Sequence, residues 1–503
     1  MPSPESLFLN WLLALPFFAA LCAALFPRLT LKPHTEAEAE SLPRAPFSLG
    51  ALACLMGVVL SVSLLRPALT GAGTEADFWW SAADLYQLRF RADALSTPVL
   101  TMLYVVGLLL NLHGYGLPTP TVPHRRAALL LVALGGAGAT ALSVDLIGTL
   151  FFLGVTVLAA WLLAATEAGK EADWVIGLTA AGGALLLGGA LLLWREAQGT
   201  ALVSMPLTLL GVQEPVLHAI GVLLLLGFTP LLGALPGQWW LSALARVGPR
   251  AVLACGTVLT ALGLVTALRL LPGAVALPTL PGFAGLASLL GFVSLLFGLV
   301  GVCVTRRLGS FGAWLAVAQA GQFLLALSLA ASPNPVVMTS GLQAAALLAL
   351  AAPLALLALW SAASAIAARA GTDATGGLRG LLPRLPAVGF AFLLGGLSLV
   401  GVPPLPGFWI QRLLLRGLWA DRGPLPALFL LAIEVLLGLL VVKAFHRVFL
   451  RGGEPPVLAP ARRWLGSQFV LTCLVLVGLG FAFLGPLTEW SVSVARSVLS
   501  LTP

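Results

Sequence analysis

Long apolar runs recur from one end of this 503-residue chain to the other, and they set what it can fold into. Leu7 to Leu25, Ala251 to Leu271 and Ala427 to Val442 are three of them. About 20 apolar residues cross the hydrocarbon of a bilayer as a helix, which satisfies every backbone N–H and C=O within the segment. Only 9% of the residues are charged, against 59% hydrophobic. A soluble domain carries about 25% charged residues, so this chain lacks the polar surface that a water-exposed fold of its length needs.

The expected fold class is therefore all-α: a polytopic membrane protein of about 14 helices. Spans are predicted near 7–27, 47–66, 94–113, 126–143, 146–166, 174–194, 216–236, 250–271, 285–304, 311–331, 338–366, 386–410, 425–446 and 466–488. The connections are short, so one integral domain is expected, with no appended soluble catalytic module. Met1–Ala24 lacks the basic leader of a signal peptide and reads as the first span.

The formal net charge of +8 does not point to nucleic acid, because the basic residues are scattered between apolar segments and form no stripe. They report topology instead. Loops from odd to even spans hold 17 Lys/Arg, among them Arg28, Lys32, Arg125, Arg126, Arg306, Arg307, Arg462 and Arg463. The other loops and the termini hold 9, and Lys443 falls inside a span. The richer side should face the cytoplasm, which puts both termini outside. Cys22, Cys54, Cys255, Cys303 and Cys473 are widely spaced in or beside apolar segments, against zinc, an iron–sulfur cluster or a disulfide frame. His34, His113, His124, His218 and His446 are equally scattered, against a haem pair. No Walker loop, GxSxG or HExxH occurs. No cofactor or metal is expected in this chain.

Two spans are interrupted by proline in a similar way. The seventh carries Pro230 and Pro236 within Gly227–Gly237, and the twelfth carries Pro403, Pro404 and Pro406 within Gly401–Phe408. Proline removes a backbone donor and clashes with the preceding turn, so both helices should break at mid-membrane depth. Broken backbone is tolerated there only inside protein or along a wet cavity. A matching pair five helices apart suggests inverted repeats of helices 4–8 and 9–13, which favours a transporter. This divides the chain into helices 1–3 (1–113), a first repeat (114–271), a second repeat (285–450) and a last helix with the C-terminus (451–503).

At these residues the sequence resembles the antiporter-like subunits of respiratory complex I, Mrp-type cation/proton antiporters and membrane-bound hydrogenases. The similarity is carried by Phe90–Ser96, by Ser143-Val-Asp145-Leu146, by Gly227-Phe228 with Pro236 and Trp240-Leu241, and by Ala313-Trp314 with Gln319 and Gly321. Its densest part is Gly376–Leu378, Pro383-Arg384, then Leu397–Pro404 with Gly407-Phe408. The resemblance implies a proton-conducting subunit of two inverted five-helix repeats, in which lysines and a glutamate pass protons between half-channels. It also implies membrane-subunit partners in a hetero-oligomeric complex, within a bacterial inner membrane, and any redox chemistry would belong to those partners.

The chain departs from that pattern at the relay itself. No Glu lies between Asp145 and Glu167, and an ungapped count puts Gly154 at the fifth-helix glutamate position. No Lys lies between Lys170 and Lys443; the seventh- and eighth-helix lysine positions fall on Leu231 and Ala261. On the twelfth helix the position after Gly-Phe becomes Gln411, beside Arg412. Leu, Gly, Ala and Gln cannot carry a proton, so the central relay reads as dismantled.

Five ionisable residues remain as proton-path candidates. Glu434 lies mid-span on the thirteenth helix, where a carboxylate is costly and reads as functional or as a contact to a neighbouring helix or subunit. Lys443 is nine residues later, about 13 Å at 1.5 Å per residue, too far for direct pairing, and could snorkel to the rim beside His446 and Arg447. His218 opens the seventh span, as an inert rim group or a proton feed. Asp145 opens the fifth, where a carboxylate favours the positive helix end. Arg412 stays charged at any accessible pH and suits a field or a lipid contact better than proton transfer. The leading reading is a membrane-arm subunit with conduction reduced or lost. Its rivals are the membrane subunit of a proton-coupled uptake system, such as an inorganic-carbon accumulating complex, and a stand-alone secondary transporter. The orientation is open to test: alkaline phosphatase fused after Pro503 should be active, and a cytoplasm-only reporter fused there should be silent.

Overall fold

A computed structural model describes residues 4–29, 42–69, 74–77, 88–117, 122–197, 202, 212–274, 280, 282–453, 456–460, 463–482 and 485–499. Lys32, His34 and Arg462 lie outside these. The helices are α1 (Pro4–Leu29), α2 (Ala45–Leu69), α3 (Ser96–Gly116), α4 (Pro123–Leu142), α5 (Leu146–Ala168), α6 (Asp173–Ala197), α7 (Glu214–Leu232), α8 (Trp239–Val247) and α9 (Pro249–Ala274). They continue with α10 (Phe283–Val304), α11 (Leu308–Ala330), α12 (Pro335–Ala370), α13 (Pro386–Leu399), α14 (Pro406–Arg422), α15 (Pro424–Phe445), α16 (Arg463–Ala482) and α17 (Pro486–Leu499). Many of the prolines start helices: Pro123, Pro249, Pro335, Pro386, Pro406 and Pro424 each sit at a first helical position, where the missing N–H would have had no partner anyway.

Twelve segments among the described residues are long and apolar enough to cross a membrane. One of them, Leu146–Ala197, contains both α5 and α6, joined through a 3-10 turn. The expected seventh span is realised as α7 plus α8, and the twelfth as α13 plus α14, of which only α13 is apolar throughout. Three expected boundaries change. The seventh helix ends at Leu232 rather than 236, because Gly233 adopts a left-handed conformation with φ of 73°. The twelfth runs on to Arg422 rather than 410, so Arg412, Arg416 and Arg422 ride on α14 instead of a loop. The last span ends at Ala482, and α17 is a separate helix whose Trp490 indole donates to the Ala94 carbonyl at 2.5 Å. Beside the helices lies a small antiparallel ribbon, β1 (Thr74–Asp77) with β2 (Arg89–Ala92). It covers the polar end of α4 and α5, where Val144 N–H donates to the Arg89 carbonyl.

Burial ranks the helices. Every residue in the most apolar stretch of α9 is buried, as is 94% of that of α11 and of α12, against 33% for α2, α15 and α16. The 36-residue α12 is the central post, packing on α9, α11, α13 and α14. Trp360, fully buried on α12, fits between Gly256 of α9 and Gly312 of α11. Apolar helices gain little from leaving lipid for one another, so close backbone approach through small residues does the packing. On the α10–α11 pair, a methyl on Gly321 would come 2.6 Å from the Gly291 carbonyl.

One ion pair ties the polar ends together. Arg269 of α9 donates to the Asp93 carboxylate at 3.0 Å and to the Ser143 carbonyl at 2.8 Å. Asp93 also accepts from the backbone N–H groups of Leu95 and Ser96 at the start of α3. Burial works to raise the Asp93 carboxyl, but the Arg269 guanidinium and the Ser96 bonds outweigh it and hold it below the ordinary carboxylate range. A depressed folded value means stability that is present above the unfolded value of about 4 and fades as pH falls through the folded one. The Asp93 side chain keeps 30% exposure, so water softens the pair. Asp93→Asn should cost about 2 kcal/mol near neutral pH. Its melting temperature in detergent should approach that of the parent chain as pH drops below about 4.

Candidate functional site

Where α13 gives way to α14, the chain must satisfy carbonyls that no longer have a helical partner. Gly401, with φ of 80°, and Gly407, whose added methyl would fall on the Ser398 carbonyl, let the two halves turn past each other. Val402 N–H closes one carbonyl, that of Leu397, at 3.1 Å. The Leu399 carbonyl is taken by side chains of α11: Gln319 Nε2 donates to it at 2.7 Å, and Gln322 Nε2 approaches at 3.5 Å. With no water in the bilayer core, a side-chain amide is the available donor.

Gln322 then couples the break to the buried carboxyl. Its Nε2 donates to Glu434 Oε1 of α15 at 2.7 Å. Gln411 of α14 approaches the same carboxyl without closing a hydrogen bond of normal geometry. Glu434 Oε2 and Gln411 Nε2 are both left without a hydrogen bond, side by side. All of these groups are buried, Glu434 at 3% exposure and Gln322 at 1%. Among the described residues, no Lys, Arg or His lies within ion-pair range of Glu434. The site is thus one carboxyl and three amides from α11, α14 and α15, gathered on a broken helix. Of these, only the carboxyl can take up or release a proton.

The first break solves the same problem with no titratable group. The Pro230 carbonyl accepts from the Trp240 indole at 2.8 Å, and Leu235 N–H donates to the Ser294 hydroxyl at 3.1 Å. Its backbone shares several features with the second break. Gly233 and Gly401 are both left-handed, and Ala234 N–H bonds to the Thr229 carbonyl as Val402 bonds to that of Leu397. Leu235-Pro236 and Pro403-Pro404 are both cis. Gln238, 1% exposed, keeps its whole amide without a partner beside this break.

Three of the four relay positions point inward. Leu231 and Ala261 are fully buried and Gln411 nearly so. Gly154, the fourth, is exposed on α5, with nothing within 4 Å of where a side chain would begin. The inward face there belongs to Leu153, Thr156 and Val157, which carry no ionisable group either. The other candidates do not converge on Glu434. Lys443 is exposed at the end of α15, His218 is exposed beside Gly282, and Arg412 is exposed 5.8 Å over the Trp409 ring. Asp145 caps α5, accepting from Gly148 N–H at 2.5 Å; burial holds its carboxyl above the ordinary range against those backbone bonds.

Sequence reasoning passes over Gln322 and His113. Both are polar residues within apolar spans, which is the signal that could have found them. His113 of α3 is buried, with Nε2 3.1 Å from the Ser364 hydroxyl of α12 and Nδ1 3.3 Å from Gln468 Oε1 of α16. It ties three helices together far from Glu434 in the sequence.

The pattern of the family described as "NADH:quinone oxidoreductase/Mrp antiporter, TM" matches residues 143–438, which contain both broken helices and Glu434. The chain belongs to this family. A curated relative, one of the subunits of the Na(+)/H(+) antiporter of Bacillus subtilis (strain 168), is 25% identical over 461 residues, covering 87% of this chain and 89% of that one. Three solved structures share the fold over 98% of this chain and 99% of theirs. They are a chain of the archaeal membrane-bound sulfane sulfur reductase (TM-score 0.80, 16% identity), one of respiratory complex I from Thermus thermophilus (0.79, 19%), and one of the Mrp complex from Dietzia sp. DQ12-45-1b (0.79, 18%).

A buried carboxyl held by one amide can be tested by removing each partner. Gln322→Leu leaves Glu434 Oε1 without its donor and should cost about 2–3 kcal/mol in thermal unfolding. The double variant Gln322→Leu/Glu434→Leu should recover most of that loss, since replacing both partners by apolar groups is close to neutral.

Proposed function

We propose that this chain is an antiporter-like membrane-arm subunit of a multi-subunit complex I-like or Mrp-like assembly in which proton conduction is reduced or lost. In this reading the chain makes fourteen crossings, with two inverted five-helix repeats, each holding one broken helix. The left-handed glycine at each break, followed by an N–H that bonds five residues back, supports the repeat. Partner membrane subunits are the other part of the proposal. It is supported by the relatives, one named as a subunit of a Na(+)/H(+) antiporter and others solved within respiratory or Mrp complexes.

The observation that carries the loss of conduction is the character of the buried interior. The family's charge relay would need titratable groups at successive positions along it. Instead Leu231, Ala261 and Gln411 fill three such positions, and the inward face of α5 beside Gly154 is apolar or hydroxylic. Among the described residues, the buried Asp, Glu, Lys, Arg and His are His113, Asp145, Arg269, Asp373 and Glu434. Asp145, Asp373 and Arg269 are occupied in caps and ion pairs at helix ends, and His113 bridges Ser364 and Gln468. Glu434 alone of these is left at a break. A proton arriving there has no second carrier in contact to receive it, and ion transfer through apolar packing is expensive.

A second version, in which a reduced path still runs through Glu434 and water, draws on the open Oε2 beside Gln411. The two versions separate in one experiment. The complex that co-purifies with the chain in mild detergent is placed in vesicles with Glu434→Gln or the parent subunit. The expected result is the same number of protons moved per turnover in both. A severalfold drop in the variant, with the complex intact, would sink the inert reading in favour of the reduced path. A chain that purifies alone and transports by itself would overturn the membrane-arm assignment.

A further inference from the structure

The end of α15 gathers positive charge that no proton path uses. The helix closes in a π turn, His446–Leu450, where Arg451 N–H donates to the His446 carbonyl at 2.8 Å. Lys443 and Arg447, four residues apart, border a cavity of about 60 Å³ together with Thr305 and Arg307, at the facing ends of α10 and α11. That is room for about four water-sized volumes, enough for a small oxyanion group. Arg307 is already matched: its Nε and Nη2 lie 2.9 and 2.8 Å from the Asp373 carboxylate. Lys443 and Arg447 form no ion pair among the described residues. Two cations therefore converge on a small polar cavity with no counter-ion supplied by the described chain.

What lies beside them is apolar and open. Val300 and Val304 of α10 are 59% and 70% exposed, and Leu439 and Val442 of α15 are 61% and 49% exposed. These side chains lead away from the cavity along the outer faces of two neighbouring membrane helices. An uncompensated basic pair at the rim, continuous with an outward-facing apolar lane, matches a ligand with an anionic head and hydrocarbon tails. Basic pockets between membrane helices select such headgroups.

We propose that Lys443 and Arg447 bind the phosphodiester headgroup of an anionic phospholipid, whose acyl chains lie along the lane between α10 and α15. Lys443 supplies a point charge and Arg447 a planar fork that meets two phosphate oxygens at once. Thr305 lines the same cavity with a hydroxyl. The site stabilises the seam between α10 and α15 on the side richest in Lys and Arg.

The test is native mass spectrometry of the full chain released from detergent with an equimolar mixture of phosphatidylglycerol and phosphatidylcholine. The parent chain should retain phosphatidylglycerol about tenfold over phosphatidylcholine, and Lys443→Ala/Arg447→Ala should lose that preference. The single variant Lys443→Arg keeps the charge and should keep the preference, and it serves as the readout if the double variant fails to fold. Equal retention of the two lipids by the parent, or an unchanged preference in a double variant with the parent's melting temperature, overturns the proposal. So does binding of inorganic phosphate with no preference between the lipids, which would make this a free-anion site. Carbodiimide coupling of Lys443 to a carboxylate of another subunit in the intact complex would show a protein partner in its place, and would also overturn it.

Discussion

A helix that breaks inside a membrane leaves carbonyls that water cannot reach, and the arrangement around both breaks follows from that constraint. At the second break the chain answers with glutamines. Gln319 and Gln322 of α11 lend their amides to the Leu399 carbonyl, which fixes α11 against α13. The same Gln322 amide has a second hydrogen to give, and Glu434 receives it. The buried carboxyl is thereby joined to the backbone of the break through one side chain. At the first break an indole does the equivalent service, and no titratable group is drawn in.

That difference bears on function. A proton-translocating interior needs carriers in sequence, each able to change charge and each close enough to hand on. Here amides and alkyl side chains occupy the interior around one acid. Amides satisfy backbone carbonyls as well as a lysine would, without the cost of burying a charge. The central post α12 and the close-packed glycine faces of α10 and α11 form the scaffold around them.

Much of this is legible in the residues. Apolar runs of membrane-crossing length place the helices to within a few residues, because in lipid the backbone has no alternative to closing its own bonds. The prolines mark both breaks because proline cannot donate. The absence of lysine from a stretch of more than 270 residues needs no structure to read. What the residues leave open turns on face and polarity. Counting places Gly154 on the fifth helix without showing its face, and α5 turns it toward the outside. Arginines make the stretch after 410 resemble a loop, yet α14 carries Arg412 and Arg416 exposed and ends on a half-buried Arg422.

The sequence by itself determined the class of solvent, the approximate places of the apolar elements, the positions of the breaks, and the lack of basic carriers between them. Each of these is a local property, set by runs of residue type along one strand of backbone. The tertiary structure decided what meets at the breaks. That Gln322 of α11 holds Glu434 of α15, 112 residues away, and that His113 bridges α12 and α16, depend on which helix faces turn toward one another. Those choices are made by packing among many nearly equivalent apolar surfaces, and no single segment of the chain encodes them.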